Sequence, residues 1–341
     1  MSPVSGKRVV GLELDTGIAR AVELSGKPSS PCLVHLGSIP LPAGAVKEGM
    51  VMHPDQVGQA LKEYWHRAGF RERSILLGVS NQGVLVRHIT IPKVPPNKLR
   101  SIIHFQAQEY LPIPLESVVL DYLVLGEVAG QGGEAEKQLE ILLVAARRDM
   151  LDSFLQALEI AQLDPVDVDV SSMAMIRLLP AKAMGMTIAM VNVANGLNSI
   201  LVSSHGKPRL ARLGLVKIID LAESLGCKID HIFKACAVNP EDSRAIINSW
   251  INSLAVEIRS SLTYYHDLPG AARVEGILLS GRGARFPGVA ELLDQYLELP
   301  VRVFNPLKAY PAVARKLAKS NTDVLDYATS TGLALRGLEG S

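Results

Sequence analysis

Two short stretches, Leu12-Glu13-Leu14-Asp15-Thr16-Gly17-Ile18 and Val191-Asn192-Val193-Ala194-Asn195-Gly196-Leu197, hold the residues best placed to do chemistry. Each alternates apolar and polar residues, reaches a small polar residue and a glycine, and turns apolar again. That is the pattern of a strand running through a tight turn into a second strand. The repeat is regular, since 192 minus 13 and 196 minus 17 both give 179. A third glycine turn, Leu278-Leu279-Ser280-Gly281-Arg282-Gly283-Ala284, follows an apolar strand and precedes a helical pattern from Gly288 to Leu297. Its backbone N–H groups could face an anion or a nucleoside. Three such turns are what a nucleotide cleft needs, and their polar residues decide whether it works.

The elements that position these turns read as two related α/β halves with a cleft between them. Val9 to Leu14 and Ala19 to Leu24 make the first hairpin, with a third strand from Cys32 to Ile39. Asp55 to Ala68 is an amphipathic helix, with Val57, Leu61, Trp65 and Ala68 at helical spacing and Gly69 placed to end it. Strands at Ser74 to Val79 and Val84 to Ile91 run into Pro92, Pro95 and Pro96, which mark an internal boundary. A helix over Asn97 to Tyr110, strands over Val118 to Leu125 and Gln138 to Ala145 joined by a glycine-rich loop from Gly130 to Lys137, and a helix from Met150 to Leu163 predict a small α+β insert at 92–165. The first half then covers 1–91 and the second 166–341. The second half opens with the hairpin Thr187 to Val202, carries a helical subdomain around 215–268 with a long helix from Glu241 to Tyr265, and ends on a helix from Asp326 to Leu335.

Bulk properties narrow the class. A chain of 341 residues with 48% apolar residues has room for more than one buried core. The 35 basic and 34 acidic residues nearly cancel, so no global field favours nucleic acid or an anionic membrane. Cys32, Cys227 and Cys236 are odd in number and lack CxxC spacing, which fits a reducing compartment. No apolar run reaches the roughly 20 residues of a membrane helix, and Met1 to Gly11 lacks a signal-peptide core, so the expectation is a soluble cytoplasmic protein. The eight histidines show no zinc-type spacing, and Ser171-Ser172, Ser203-Ser204 and Ser260-Ser261 lack a G-x-S-x-G frame. No catalytic residue is assigned.

At Phe105-Gln106-Ala107-Gln108-Glu109-Tyr110-Leu111-Pro112-Ile113-Pro114-Leu115-Glu116, continuing to Asp121-Tyr122, the chain resembles the PilM family of type IV pilus assembly proteins. Further matches lie at Ala21-Val22-Glu23-Leu24, Val168-Asp169, Leu279-Ser280-Gly281, Phe286-Pro287-Gly288 and Gly332 to Gly337, collinear over nearly the whole chain. The resemblance implies an actin-like fold, the duplicated ribonuclease H-like type related to the division protein FtsA, with the insert as its extra subdomain. It also implies a cytoplasmic scaffold that holds the short tail of a PilN-like inner-membrane protein in a groove between the first subdomain and the insert. The machine would be a pilus or a related type II secretion-like system, with other assembly proteins and further copies of the chain as partners. Phe105, Gln108, Tyr110, Leu111 and Ile113 are the candidate tail contacts.

The resemblance further implies ATP, with Mg²⁺, in the central cleft, where Glu13, Asp15, Thr16, Gly17, Asn192, Asn195, Gly196, Lys234, Gly281, Arg282 and Gly283 are the candidate nucleotide residues and Glu13 the candidate metal contact. Several depart from the family pattern. Glu13 and Asn192 stand where Asp is usual, and Asp15 and Ala194 where Gly is usual. Paired glycines after Arg212 are absent, His231 replaces a Glu upstream of Lys234, and Arg282 interrupts a glycine pair. A carboxylate at Asp15 would repel phosphates. A bland reading sits beside this one: each turn glycine could exist only because tight turns need positive φ, and the Phe105 to Pro114 stretch could be core packing. A scaffold with a degenerate ATP cleft is favoured over two alternatives. An actin-like kinase or ATPase would need better phosphate turns. A membrane-tethered FtsA-like filament protein would need a basic amphipathic C-terminal helix, whereas Gly337 to Ser341 is short and polar.

Overall fold

The computed structural model describes residues 7–129, 137–238, 240–308 and 323–339. Most of the glycine-rich loop expected at Gly130 to Lys137, the first six residues and the terminal Gly340 and Ser341 lie outside them. In chain order, β1 (Arg8–Asp15), β2 (Ile18–Lys27) and β3 (Ser30–Pro40) form an antiparallel meander, followed by the short pair β4 (Val46–Lys47) and β5 (Met50–Val51). Helix α1 (Pro54–Ala68) starts on a proline and ends on Gly69 in the left-handed region, φ 75°. It leads into β6 (Ser74–Val79), which lies parallel to β1.

The insert comprises β7 (Val84–Pro92), α2 (Pro96–Tyr110), β8 (Val118–Ala129) and β9 (Lys137–Arg147), with the antiparallel sheet order β7-β9-β8. Helix α3 (Arg148–Ile160), β10 (Asp164–Val170) and the short α4 (Ser171–Ala174) return the chain to the first half. The second half runs β11 (Thr187–Asn192), β12 (Asn198–Ser204), β13 (Lys207–Gly214), α5 (Ile218–Ser224), α6 (Ile232–Val238), α7 (Pro240–His266), β14 (Gly276–Ser280), α8 (Val289–Leu297), β15 (Val301–Val303) and α9 (Ala328–Glu339).

The two large sheets have the same plan. Their orders are β3-β2-β1-β6-β10 and β13-β12-β11-β14-β15, and in each the first three strands are antiparallel and the last two add in parallel. Strand β1 is buried along nearly its whole length and β11 along all of it, so both read as near-continuous apolar runs covered on two faces. Val57, Leu61 and Trp65 of α1 and Phe154, Ala157 and Leu158 of α3 cover one face of the first sheet. Trp250, Leu254, Ile258 and Leu262, on one stripe of α7, cover the second. A third cluster joins the halves: Val9 and Val22 from the first sheet, Met190 and Leu201 from the second, and Leu333 and Leu335 from α9.

Strand pairing moves the expected domain edges. β7, placed in the first half by its position before the prolines, pairs with β9 along its whole length, so the insert's sheet begins at Val84. Helix α3, placed in the insert, buries Phe154 and Leu158 in the first-half core, and β10 pairs with β6. By pairing, the insert runs from Val84 to Arg147. At the third glycine turn, Gly281, at φ 82°, leads into a 3-10 turn over Arg282–Arg285.

Candidate functional site

The β1–β2 turn and the β11–β12 connection meet face to face, and Asp15 is the residue between them. Its Oδ1 accepts from the backbone N–H groups of Thr16 at 2.7 Å and Gly196 at 3.0 Å. Its Oδ2 accepts from the Asn195 N–H at 3.0 Å and from Arg20 Nη1 at 3.1 Å. Asn195 returns the contact, donating from Nδ2 to the Thr16 carbonyl at 3.2 Å. Gly17 turns the first hairpin at φ 74°. Gly196 has no positive φ and serves the other glycine purpose, close approach, because a Cβ there would meet Thr16 and Asp15 of the facing turn.

Arg20 sits opposite Glu13 in the hairpin register, and its Nη1 lies 3.7 Å from Glu13 Oε2. Burial pushes the Glu13 carboxyl up to about 7, an effect that Arg20 opposes and Asp15 reinforces, with Thr329 and Asp326 also facing the group. Burial likewise raises Asp326 and lowers Arg282. Because folded Glu13 holds its proton more tightly than the unfolded chain does, its contribution to stability is full below the ordinary carboxylate range and is lost as pH rises through about 7. Glu13→Gln should therefore remove a decline of order 3 kcal/mol between about pH 4.5 and 7. Urea denaturation of both proteins at the two pH values checks this, and parallel pH profiles would refute it.

The third turn closes the same region. Asn192 Oδ1 accepts from Ser280 Oγ at 3.2 Å. The Gly281 N–H donates to Leu325 O at 2.9 Å and the Gly283 N–H to Val193 O at 3.0 Å. Arg282, buried and lying 5.8 Å above the Phe233 ring, donates to Ile229 O at 3.0 Å and to Asn195 Oδ1 at 3.4 Å. Of the candidate nucleotide residues, Glu13, Asp15, Thr16, Asn195, Gly196 and Arg282 thus form one connected network. Asn192, Gly281 and Gly283 line its far side. Lys234 is not brought in: it lies exposed on α6, beside a separate hollow with His231 and Cys227.

A phosphate is held by free backbone N–H groups and cations. Here the amides of Thr16, Asn195, Gly196, Gly281 and Gly283 all have acceptors within the protein, and the first three have the same anionic one. Glu13 has a guanidinium, not a vacancy, as its nearest charged neighbour, and among the described residues no group of three or more His, Cys, Asp or Glu is arranged for a metal ion. In this arrangement the cleft does not fit a nucleotide's phosphates.

A hollow with both apolar and cationic lining lies elsewhere. About 310 Å³ opens where β6 hands over to β7, bounded by the end of β6, β7 of the insert, β13 of the second half and Tyr264. Val84, Val86, Leu142 and Leu213 give it apolar walls, and Arg87, Arg209 and Arg212 bring cations to it. Arg212 lies 5.0 Å above the Tyr264 ring. Arg209 holds Glu140 in a two-pronged ion pair that His88 joins at 3.0 Å.

None of the five candidate tail contacts lines this hollow. The structure divides them: Leu111 and Ile113 pack into the insert's core with Leu99 and Ile103, whereas Phe105, 73% exposed, Gln108 and Tyr110 face outward from α2. The lining of β7 and β13 went unread because those strands lie far apart in sequence and each carries ordinary strand patterning. The local signal was the apolar, β-branched strand pattern of Val84 to Ile91.

The family profile described as type IV pilus assembly protein PilM matches residues 11–338. Among solved structures, a PilM-PilN type IV pilus biogenesis complex is similar at TM-score 0.83 and 29% identity, covering 97% of this chain and 98% of that one. The ethanolamine utilization protein EutJ from Carboxydothermus hydrogenoformans aligns at TM-score 0.56 and 14% identity, over 98% of this chain and 91% of that one. MreB5 of Spiroplasma citri, bound to ADP, aligns at TM-score 0.52 and 10% identity, over 92% and 97%. The last two likenesses are of fold alone.

Proposed function

The chain belongs to the PilM family of type IV pilus assembly proteins and has the actin-like fold, and from that premise we propose that it is a scaffold gripping the cytoplasmic tail of a PilN-like inner-membrane protein. The hollow between the first half, the insert and β13 carries this reading. Its apolar walls suit the side chains of an extended segment, and its arginines suit carbonyl or carboxylate oxygens along that segment. The similar structure that contains PilM together with PilN supports the choice of partner.

No helix among the described residues is long and apolar enough to cross a membrane. Residence at the inner-membrane face then comes from the partner, and further assembly proteins and copies of the chain would dock on the remaining surface. ATP is the ligand that the fold brings to mind for the central cleft. This reading gives it no role, because no residue of the Asp15 network is among those that line the tail hollow.

Leu213→Arg tests the site. Leu213 lines the hollow and is only partly buried, so the longer cationic side chain should obstruct it while leaving the fold intact. A loss of at least about tenfold in tail-peptide affinity is expected. Phe105→Ala on the outer face of α2 should change it by less than about twofold. The reverse pattern would move the tail to α2.

A further inference from the structure

The geometry points to a built-in latch in which the Asp15 carboxylate takes the place of a nucleotide phosphate and closes the two halves without nucleotide. This goes beyond the partner reading and does not depend on it. A carboxylate offers about four acceptor positions, and Asp15 fills them with the N–H groups of Thr16, Asn195 and Gly196 and with Arg20. Two of these donors belong to the second half and two to the first, so one side chain bridges the cleft as a phosphate would. Asp15 is 5% exposed, and Arg20, at 2%, supplies the countercharge that keeps the anion in place.

Three further contacts cross between the halves near the same level. Asn195 donates to Thr16 O, Lys217 Nζ pairs with Glu48 Oε1 at 2.6 Å, and Ser80 Oγ lies 3.1 Å from Ser199 Oγ. Glu48 is itself fastened to the first turn, its N–H donating to Thr16 Oγ1 at 3.2 Å, and it holds φ 50°, a conformation rarely adopted without support. An incoming phosphate would have to displace Asp15 from all three amides and would meet its charge in a buried site.

The device also has a negative image. Removing the Asp15 side chain leaves three amides and a buried guanidinium, whose Nε and Nη2 have no hydrogen-bond partner among the described residues, around the space the carboxylate vacates. Asp15→Gly should therefore acquire a seat for inorganic phosphate, while Asp15→Asn, which keeps the volume, should not.

Thermal melting of the full chain and both variants, with inorganic phosphate or with chloride at matched ionic strength, reads this out. The expected result is an unaltered protein whose melting temperature phosphate and MgATP leave within about 1 °C, a glycine variant that melts about 5 °C lower or more, and recovery of about 2 °C or more by phosphate in that variant alone. Phosphate or MgATP stabilising the unaltered protein, or failing to act on a folded glycine variant, would overturn the latch. Should the glycine variant not fold, hydrogen exchange of the unaltered chain decides. The Asn195 and Gly196 amides should be protected without nucleotide and unchanged by MgATP, and protection that appears only with MgATP would overturn the proposal.

Discussion

Arg209→Met is expected to lower the unfolding free energy by about 3–5 kcal/mol. Arg209 on β13 donates from Nη1 and Nη2 to the two carboxylate oxygens of Glu140 on β9, at 2.5 and 2.6 Å, and so ties the insert to the second half. Glu140 is 5% exposed. Burial alone would push its carboxyl up, but the hydrogen bonds and charge of Arg209, with His88 beside them, outweigh burial and hold it below the usual carboxylate range. Methionine fills similar volume and supplies no donor, which leaves a buried carboxylate uncompensated. In the unaltered protein burial, with the charge of Arg209, holds His88 below the ordinary histidine value, so Arg209 is the principal cation of the pair.

The pH dependence follows. In the unaltered protein this pair's contribution is present above the ordinary carboxylate range and is lost as pH falls through the lowered value, whereas in Arg209→Met the residual Glu140 favours protonation and the loss eases toward low pH. Pairing Arg209→Met with Glu140→Leu should recover most of the stability, because removing both partners leaves no orphan. Urea denaturation of the single and double variants measures both effects. A single-variant loss below about 1 kcal/mol would show that the pair is solvated and not structural.

Gly196→Val is expected to cost about 2–4 kcal/mol and to part the two halves at the cleft. A Cβ at this position would lie 3.2 Å from Asp15 Oδ1 and 3.3 Å from Thr16 Cβ, and nearer still to Thr16 Oγ1. Those atoms belong to the facing turn, so relief requires the turns to separate and the Asp15 bridge to stretch. Gly17→Ala is the control. Gly17 has positive φ but open space around it, so its cost is the local backbone term of about 1 kcal/mol. Calorimetric melting compares the two, and equal losses would show that Gly196 is only a turn residue.

What could be read from the sequence was local or repeated. The 179-residue offset between the turns led directly to the duplicated sheets, and helices such as Asp55 to Ala68 and Glu241 to Tyr265 fall within a residue or two of α1 and α7. Non-local pairing was harder to read. Val84 to Ile91 showed strand character but gave no sign that its partner is β9, more than fifty positions on, so the insert's first edge was set at the prolines. Asp15 could be recognised as an anion that repels phosphate. Its capture by two amides about 180 positions away could not, because a charge pattern carries no information on which backbone groups will face it. A hairpin register drawn through Thr16 and Gly17 does put Arg20 opposite Glu13, so that ion pair was available to a closer reading. Gly196 was legible as a glycine that mattered, but for the turn and not for the contact.

Calorimetric titration of the unaltered chain with the cytoplasmic tail peptide of its PilN-type partner, run with and without MgATP beside Leu213→Arg, bears most directly on the whole reading. Saturable binding with the same affinity in both conditions, and a loss of at least about tenfold in the variant, is the expected result. Binding that requires MgATP, or that Leu213→Arg leaves untouched, would contradict it.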